Sequence, residues 1–204
     1  MPSILERYQR IARLYDVLDF PFEHGRYRHI RPALFRGLSG RILDAGVGTG
    51  RNIPYYPEGA ETVGIDISPA MLARAARRRA AAGAKVDLRQ MDVTKLAFED
   101  GSFDAAVATF LFCVLPEDIQ EPALLELARV VKKGGPIRLM EYVRPQGRVR
   151  RAIAKLWEPW MEWAYGAGFD RRTEEHARQA GFDVTESRFV VGDLIKVLSI
   201  RTSA

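Results

Sequence analysis

The sequence predicts an α/β fold built on a mostly parallel sheet of seven strands. Three observations predict it. From Arg41 onward, β-prone runs alternate with helical ones, the pattern of strands joined by helical crossovers. The first run leads into a glycine-rich turn, DAGVGTG, from Asp44 to Gly50. An acidic residue also stands at or just beyond the carboxyl end of each of the first three runs: Asp44, Asp66 and Asp92.

The chain opens on a helical stripe, since Ile4, Tyr8, Ile11, Tyr15 and Leu18 recur at steps of four and three with Arg7, Arg10 and Arg13 beside them. This is a basic amphipathic helix, suited to a lipid interface or to packing on its own domain. Strands are expected at Arg41–Ala45, Thr62–Asp66, Lys85–Gln90, Phe103–Thr109 and Pro136–Tyr142, with a late pair at Phe182–Val190 and Leu194–Ile200. Ser68 caps the helix after the second strand, Pro69 fits its first turn and Gly83 follows its alanine-rich body, which are start and stop signals of a helix. A second helix begins near Pro116 and ends at Lys132–Lys133–Gly134–Gly135, basic at its carboxyl end and closed by glycine.

A chain of 204 residues, 47% of them hydrophobic, buries one full core, and a single domain over 1–204 is expected. Residues 1–40 and 143–181 are elaborations on its sheet. The single Cys113 excludes an intrachain disulfide and suits a reducing cytoplasm. The arginine-rich start lacks the form of a signal peptide, and no apolar run approaches the roughly 20 residues of a membrane span. Lys and Arg number 31 against 26 Asp and Glu, a formal charge of +5, which suits an anionic surface of lipid or nucleic acid. The basic residues gather at Arg74–Arg79 and at Arg144–Lys155.

Glycines at a strand-to-helix turn let a ligand approach the backbone where a Cβ would collide. The spacing of Gly46, Gly48 and Gly50 is G-x-G-x-G, whereas the dinucleotide fingerprint is G-x-G-x-x-G. Asp44 is poorly placed beside a diphosphate, but it suits a water or the cationic amine of a zwitterionic ligand. Both features argue against NAD. Asp66, at the end of the second strand, presents a carboxylate able to accept from the two hydroxyls of a ribose. Asp92 offers another at the same edge, suited to an exocyclic adenine amino group. Together they point to an adenosine ligand; no metal is expected.

At these residues the chain resembles the class I S-adenosylmethionine-dependent methyltransferases, closely so from about Arg41 to Tyr142. DAGVGTG matches the first family motif, GIDIS the ribose site and QMDVTKLAF the adenine side, while FDAAVATFLFCVL and RVVKKGGPIRLME match the fourth and fifth strands. The resemblance implies a sheet with helices on both faces and its last strand antiparallel beside the fifth. It implies that Asp44, Gly46, Gly48 and Gly50 line the methionine end of the cofactor, Asp66 with Ile67 the ribose, Asp92 and Val93 the adenine, and Thr109 with Phe110 the mouth toward the acceptor. Tyr15–Asp16 resembles the YD pair of ubiquinone and phospholipid methyltransferases, which makes Tyr15 a catalytic candidate reaching over the cofactor.

Methyl transfer from a sulfonium chiefly requires that the acceptor be positioned and water excluded. An acceptor that must lose a proton also needs a base, for which the candidates are Glu141 at the end of the fifth strand, His24 and His29. Enzymes of this family that methylate nucleic-acid bases typically carry an N-P-P-Y-like tetrad after the fourth strand. Here the position reads Thr109–Phe110–Leu111–Phe112, so no nucleic-acid acceptor is expected. All three tryptophans fall at Trp157, Trp160 and Trp163, immediately after the basic run. Tryptophans beside arginines resemble membrane-surface anchors, and aromatic faces also bind methylated ammonium groups. The expectation is a peripheral enzyme on the inner, cytoplasmic face of an anionic membrane. Its acceptor is a lipid, specifically phosphatidylethanolamine, methylated toward phosphatidylcholine. Quinone or small-thiol methylation is the alternative among enzymes, and an inactive S-adenosylmethionine-binding interaction protein the alternative outside them.

Overall fold

The computed structural model describes residues 6, 8, 23–165, 168 and 171–202. Its strands are β1 (Arg41–Ala45), β2 (Glu61–Asp66), β3 (Val86–Gln90), β4 (Ala105–Thr109), β5 (Ile137–Tyr142), β6 (Phe182–Val191) and β7 (Ile195–Thr202). They form one sheet in the order β3-β2-β1-β4-β5-β7-β6. Neighbours from β3 to β5 pair in parallel, whereas β7 runs antiparallel to both β5 and β6. The expected antiparallel last strand beside the fifth is therefore present. The chain lays β2 and β3 on one side of β1, then crosses to lay β4 and β5 on the other. Such a reversal opens a crevice at the carboxyl ends of the strands, where ligands of doubly wound sheets bind.

Period-two alternation sends successive side chains to opposite faces and so divides the core into two layers. Leu43, Ala106, Leu139 and Leu198 join one layer, while their neighbours Ile42, Val107, Met140 and Val197 join the other. The first layer is covered by α3 (Glu117–Val130) through Leu124 and Leu127. The second is covered by α1 (Arg28–Phe35) through Leu34 and Phe35. A π-helical turn over Glu23–Tyr27 leads into α1. Both faces of β1 and β4 are sealed, which is why these strands read as apolar runs rather than as alternating ones.

Between β2 and β3 lies α2 (Pro69–Ala82), where the Ser68 hydroxyl accepts from the Met71 amide at 3.4 Å and Gly83 closes the last turn. Two further helices, α4 (Arg148–Tyr165) and α5 (Thr173–Gln179), join β5 to β6. Phe103 was expected in a strand and is not, because its backbone bonds to Val130 and Lys132 at the end of α3 instead of extending the β1 ladder. Lys85 and Pro136 likewise stay outside β3 and β5. Glu6 and Tyr8 have helical backbone. The rest of the amphipathic stripe, Ile4, Ile11, Tyr15 and Leu18, lies outside the described residues.

Candidate active site

At the carboxyl ends of β1, β2 and β4 lies a cavity of about 440 Å³, the size of a small-molecule site. Gly46, Gly48, Asp66, Ile67, Asp92, Val93 and Thr109 line it. Gly48 has φ 55°, and a Cβ added there would meet nothing nearer than a backbone oxygen at 3.9 Å. A side chain would therefore occupy the space the glycine leaves open. Gly50 serves differently: its Cβ would come within 2.7 Å of Ile53 and 3.0 Å of Ala75 in α2, and Gly50 does not line the cavity. It seats the turn against the helix. Asp66 accepts the Gly48 amide on one oxygen at 2.9 Å and the Ser68 amide on the other at 2.8 Å. Burial pushes its carboxyl up to about 6 against those two bonds. Asp92 is exposed at the rim, where Thr94 bonds one of its oxygens through both amide and hydroxyl.

Asp44, expected against the ligand, lies behind the turn instead. It is fully buried and does not line the cavity. Its carboxylate accepts from both sides: Asn52 Nδ2 reaches both oxygens at 3.1 Å and the Tyr56 hydroxyl reaches one at 2.6 Å. Burial raises its carboxyl to about 6 despite these bonds and the Arg31 charge, with the Asp66 charge adding to the rise. Asn52 also donates to Thr109 Oγ1 at 3.0 Å, so one amide ties the glycine turn to the end of β4.

A second cavity, about 760 Å³, adjoins the first, and Tyr8, Phe110 and Val114 belong to both. Phe110 is a bulky residue at φ 56°, a conformation rare and strained for such side chains. Its ring stacks on Tyr142 at 4.9 Å and meets Tyr27 at 5.0 Å, while the two tyrosine hydroxyls hydrogen-bond each other. Beyond this aromatic wall, α4 roofs the cavity with Ile153, Trp157, Trp160 and Met161, and Arg26 and Arg150 stand at its edge.

A family profile described as a methyltransferase domain matches residues 42–135. A phosphatidylethanolamine N-methyltransferase of Cereibacter sphaeroides is 35% identical over 181 residues, covering 84% of this chain and 87% of that one. The chain belongs to the class I S-adenosylmethionine-dependent methyltransferases. A demethylmenaquinone methyltransferase of Thermus thermophilus is 37% identical over 146 residues, covering 68% of this chain and 65% of the relative. Among solved structures, a possible histamine N-methyltransferase of Thermotoga maritima superposes with TM-score 0.73 over 96% of this chain and 99% of that one. At 20% identity that likeness concerns the fold.

The residues of this methyltransferase fit S-adenosylmethionine, its cofactor. The open space over Gly48 admits a ligand against the backbone, Asp66 offers the remaining lone pairs of a fixed carboxylate to ribose hydroxyls, and Met71, Met91 and Ile119 supply apolar wall. When bound, the cofactor supplies an electrophilic methyl group and its leaving group. The chain's own residues shape two adjoining cavities that share Phe110.

Glu141 does not reach either chamber. Its buried carboxylate accepts the amides of Phe112 at 3.1 Å and Cys113 at 2.9 Å, bracing the turn after β4. The expectation that it takes the acceptor's proton finds no support in this geometry. His29 is exposed and lines neither chamber. Tyr15 and the side chains of His24 and Trp163 lie outside the described residues. Sequence reasoning missed Tyr27, Tyr142, Arg31, Asn52 and Tyr56. Asn52, two residues past the last glycine of the motif, was the one within reach of a local signal.

Proposed function

We propose that this methyltransferase methylates the headgroup amine of phosphatidylethanolamine at an anionic membrane surface. The observation that carries the reading is the surface of α4 over the larger chamber. Leu156 is 80% exposed, Val149 74%, Trp157 53% and Ile153 52%, an uninterrupted apolar stripe, and Ile153 and Trp157 also line the chamber. A lipid held in the interface by such a helix would reach the chamber without leaving apolar surroundings. Arg148, Arg151 and Lys155 on the same helix are exposed and suit anionic headgroups. No helix among the described residues is long and apolar enough to cross a membrane, so attachment in this reading is peripheral, on the cytoplasmic face.

Within the chamber, the rings of Tyr27, Phe110, Tyr142 and Trp160 favour an ammonium that gains methyl groups, through cation–π attraction. The two tyrosine hydroxyls accept hydrogen bonds from its N–H groups; before each transfer one N–H proton passes to water, so that the amine lone pair forms the N–C bond as the C–S bond of the cofactor breaks. Quinone methylation is the second reading, favoured by the same apolar walls and by the demethylmenaquinone methyltransferase relative. Mass spectrometry of phosphatidylethanolamine liposomes, with and without anionic lipid, after incubation with protein and S-adenosylmethionine separates the two. Products carrying one to three added methyl groups, in greater yield on anionic vesicles, are expected. An unmodified lipid, with cofactor binding intact, would refute the lipid reading and turn the assay to demethylmenaquinone and small thiols.

A further inference from the structure

Behind the wall that divides the two chambers, Arg31 is 5% exposed and so is its partner Glu23. The guanidinium donates from Nε to both Glu23 oxygens at 3.0 and 3.1 Å and from Nη2 to one of them at 2.9 Å. Its other terminal nitrogen donates to Asn52 Oδ1 at 2.8 Å. Asn52 in turn holds Asp44 and Thr109. The same guanidinium lies 5.8 Å from the centre of the Phe110 ring, and Tyr27, one helical turn earlier, forms part of the acceptor wall.

A buried ion pair is poor value as a stabiliser, because desolvation of both charges consumes most of their attraction. What the pair does supply is orientation. With Glu23 fixing two nitrogens of the planar fork, the third is aimed at a single place, the Asn52 carbonyl. Accepting there forces the Asn52 amide nitrogen toward Asp44 and Thr109, because a carboxamide presents its acceptor and donors on opposite arms. Without Arg31 the Asn52 donors stay on Asp44 and Thr109, but the carbonyl arm loses the partner that fixes it, and the turn is held from one side only.

We propose that Arg31 is a positioning residue, which sets the cofactor turn through Asn52 and, from the same guanidinium, supports the Phe110 wall that the acceptor chamber shares. The inference rests on cofactor binding and not on the identity of the acceptor. It predicts that cofactor affinity depends on a residue that lines neither chamber among the described residues.

The test is calorimetric binding of S-adenosylhomocysteine to Arg31→Met, Asn52→Ala, the double variant and Arg31→Lys, with unfolding midpoints measured alongside. Arg31→Met and Asn52→Ala should each weaken binding about tenfold, the scale of one buried charge-assisted hydrogen bond. The double variant should lose little beyond either single change, since both cut one chain of contacts. Arg31→Lys keeps the charge without the fork and should fall between wild type and Arg31→Met. The pH profile gives an independent readout. Asp44, which ionises near 6 facing Tyr56, Asn52, Arg31 and Asp66, loses a favourable cation in Arg31→Met, so the inflection it contributes should move to higher pH.

Wild-type affinity in folded Arg31→Met, losses that multiply in the double variant, or an unmoved inflection would overturn the proposal. Arg31→Met strands the Glu23 carboxylate, so Glu23→Gln/Arg31→Met replaces it if the single variant does not fold. If that also fails, Arg31→Lys decides, and unchanged affinity there overturns the proposal.

Discussion

Glu141 illustrates how a carboxylate at a strand end serves the fold. It braces the turn after β4 by accepting two backbone amides, and burial pushes its carboxyl up to about 7 from 4.5 in spite of those bonds. Between those two pH values the folded chain holds a proton that the unfolded chain has released, so this group's contribution to stability falls as pH rises from about 4.5 to about 7. Glu141→Gln removes that titration. Its stability relative to wild type should improve between pH 5 and pH 7.5 by on the order of 2 kcal/mol, read by urea unfolding at the two pH values. An identical pH dependence in both proteins would show that the glutamate ionises normally. Asp66 is the contrasting case, a carboxylate that faces a chamber. Asp66→Ala should weaken S-adenosylhomocysteine binding tenfold or more, as a charged hydrogen-bond acceptor is lost, and unchanged calorimetric affinity would remove it from the ribose site. Both residues were visible in the sequence as acids at strand ends. Position along a strand does not reveal whether a carboxylate faces a chamber or is closed off behind its wall, and that difference separates Asp66 from Glu141 and from Asp44.

Strands and the capped helix α2 were legible because their signals are local: apolar runs bounded by glycine, Ser68 before Pro69, Gly83 after the alanines. Helix α4 was legible as an aromatic and basic segment, but its sidedness was not. Trp157 and Trp160 meet edge to face at 5.9 Å, yet Trp157 is exposed while Trp160 is partly covered within the chamber. A test of membrane attachment therefore has to alter Leu156 and Trp157 and spare Trp160. Replacing Leu156 and Trp157 with serine should weaken sedimentation with anionic vesicles by tenfold or more, since each side chain contributes about 1.5–3 kcal/mol on leaving water. The unfolding midpoint should hardly move, because the side chains are already exposed. Undiminished sedimentation would assign the stripe to something other than lipid.

At the scale of the molecule, the least legible features are those that join distant parts of the chain. Asn52 reaches Thr109 across 57 positions and Arg31 reaches Asn52 across 21, and no periodicity or motif records such a meeting. The family resemblance gathered most of the lining of the smaller chamber because those residues follow one another at successive strand ends. The larger chamber draws on α4, the turn between β6 and β7, and the segment before α1, three places related only by folding. The two chambers meet at Tyr8, Phe110 and Val114, yet their outer rims differ: exposed Asp92, Asp118 and Pro122 on one side, exposed Arg26, Arg150 and Trp157 on the other. In the proposed reading, separate rims among the described residues would let spent cofactor leave without passing the acceptor, and a lipid that takes several methyl groups would stay lodged while its donor is exchanged.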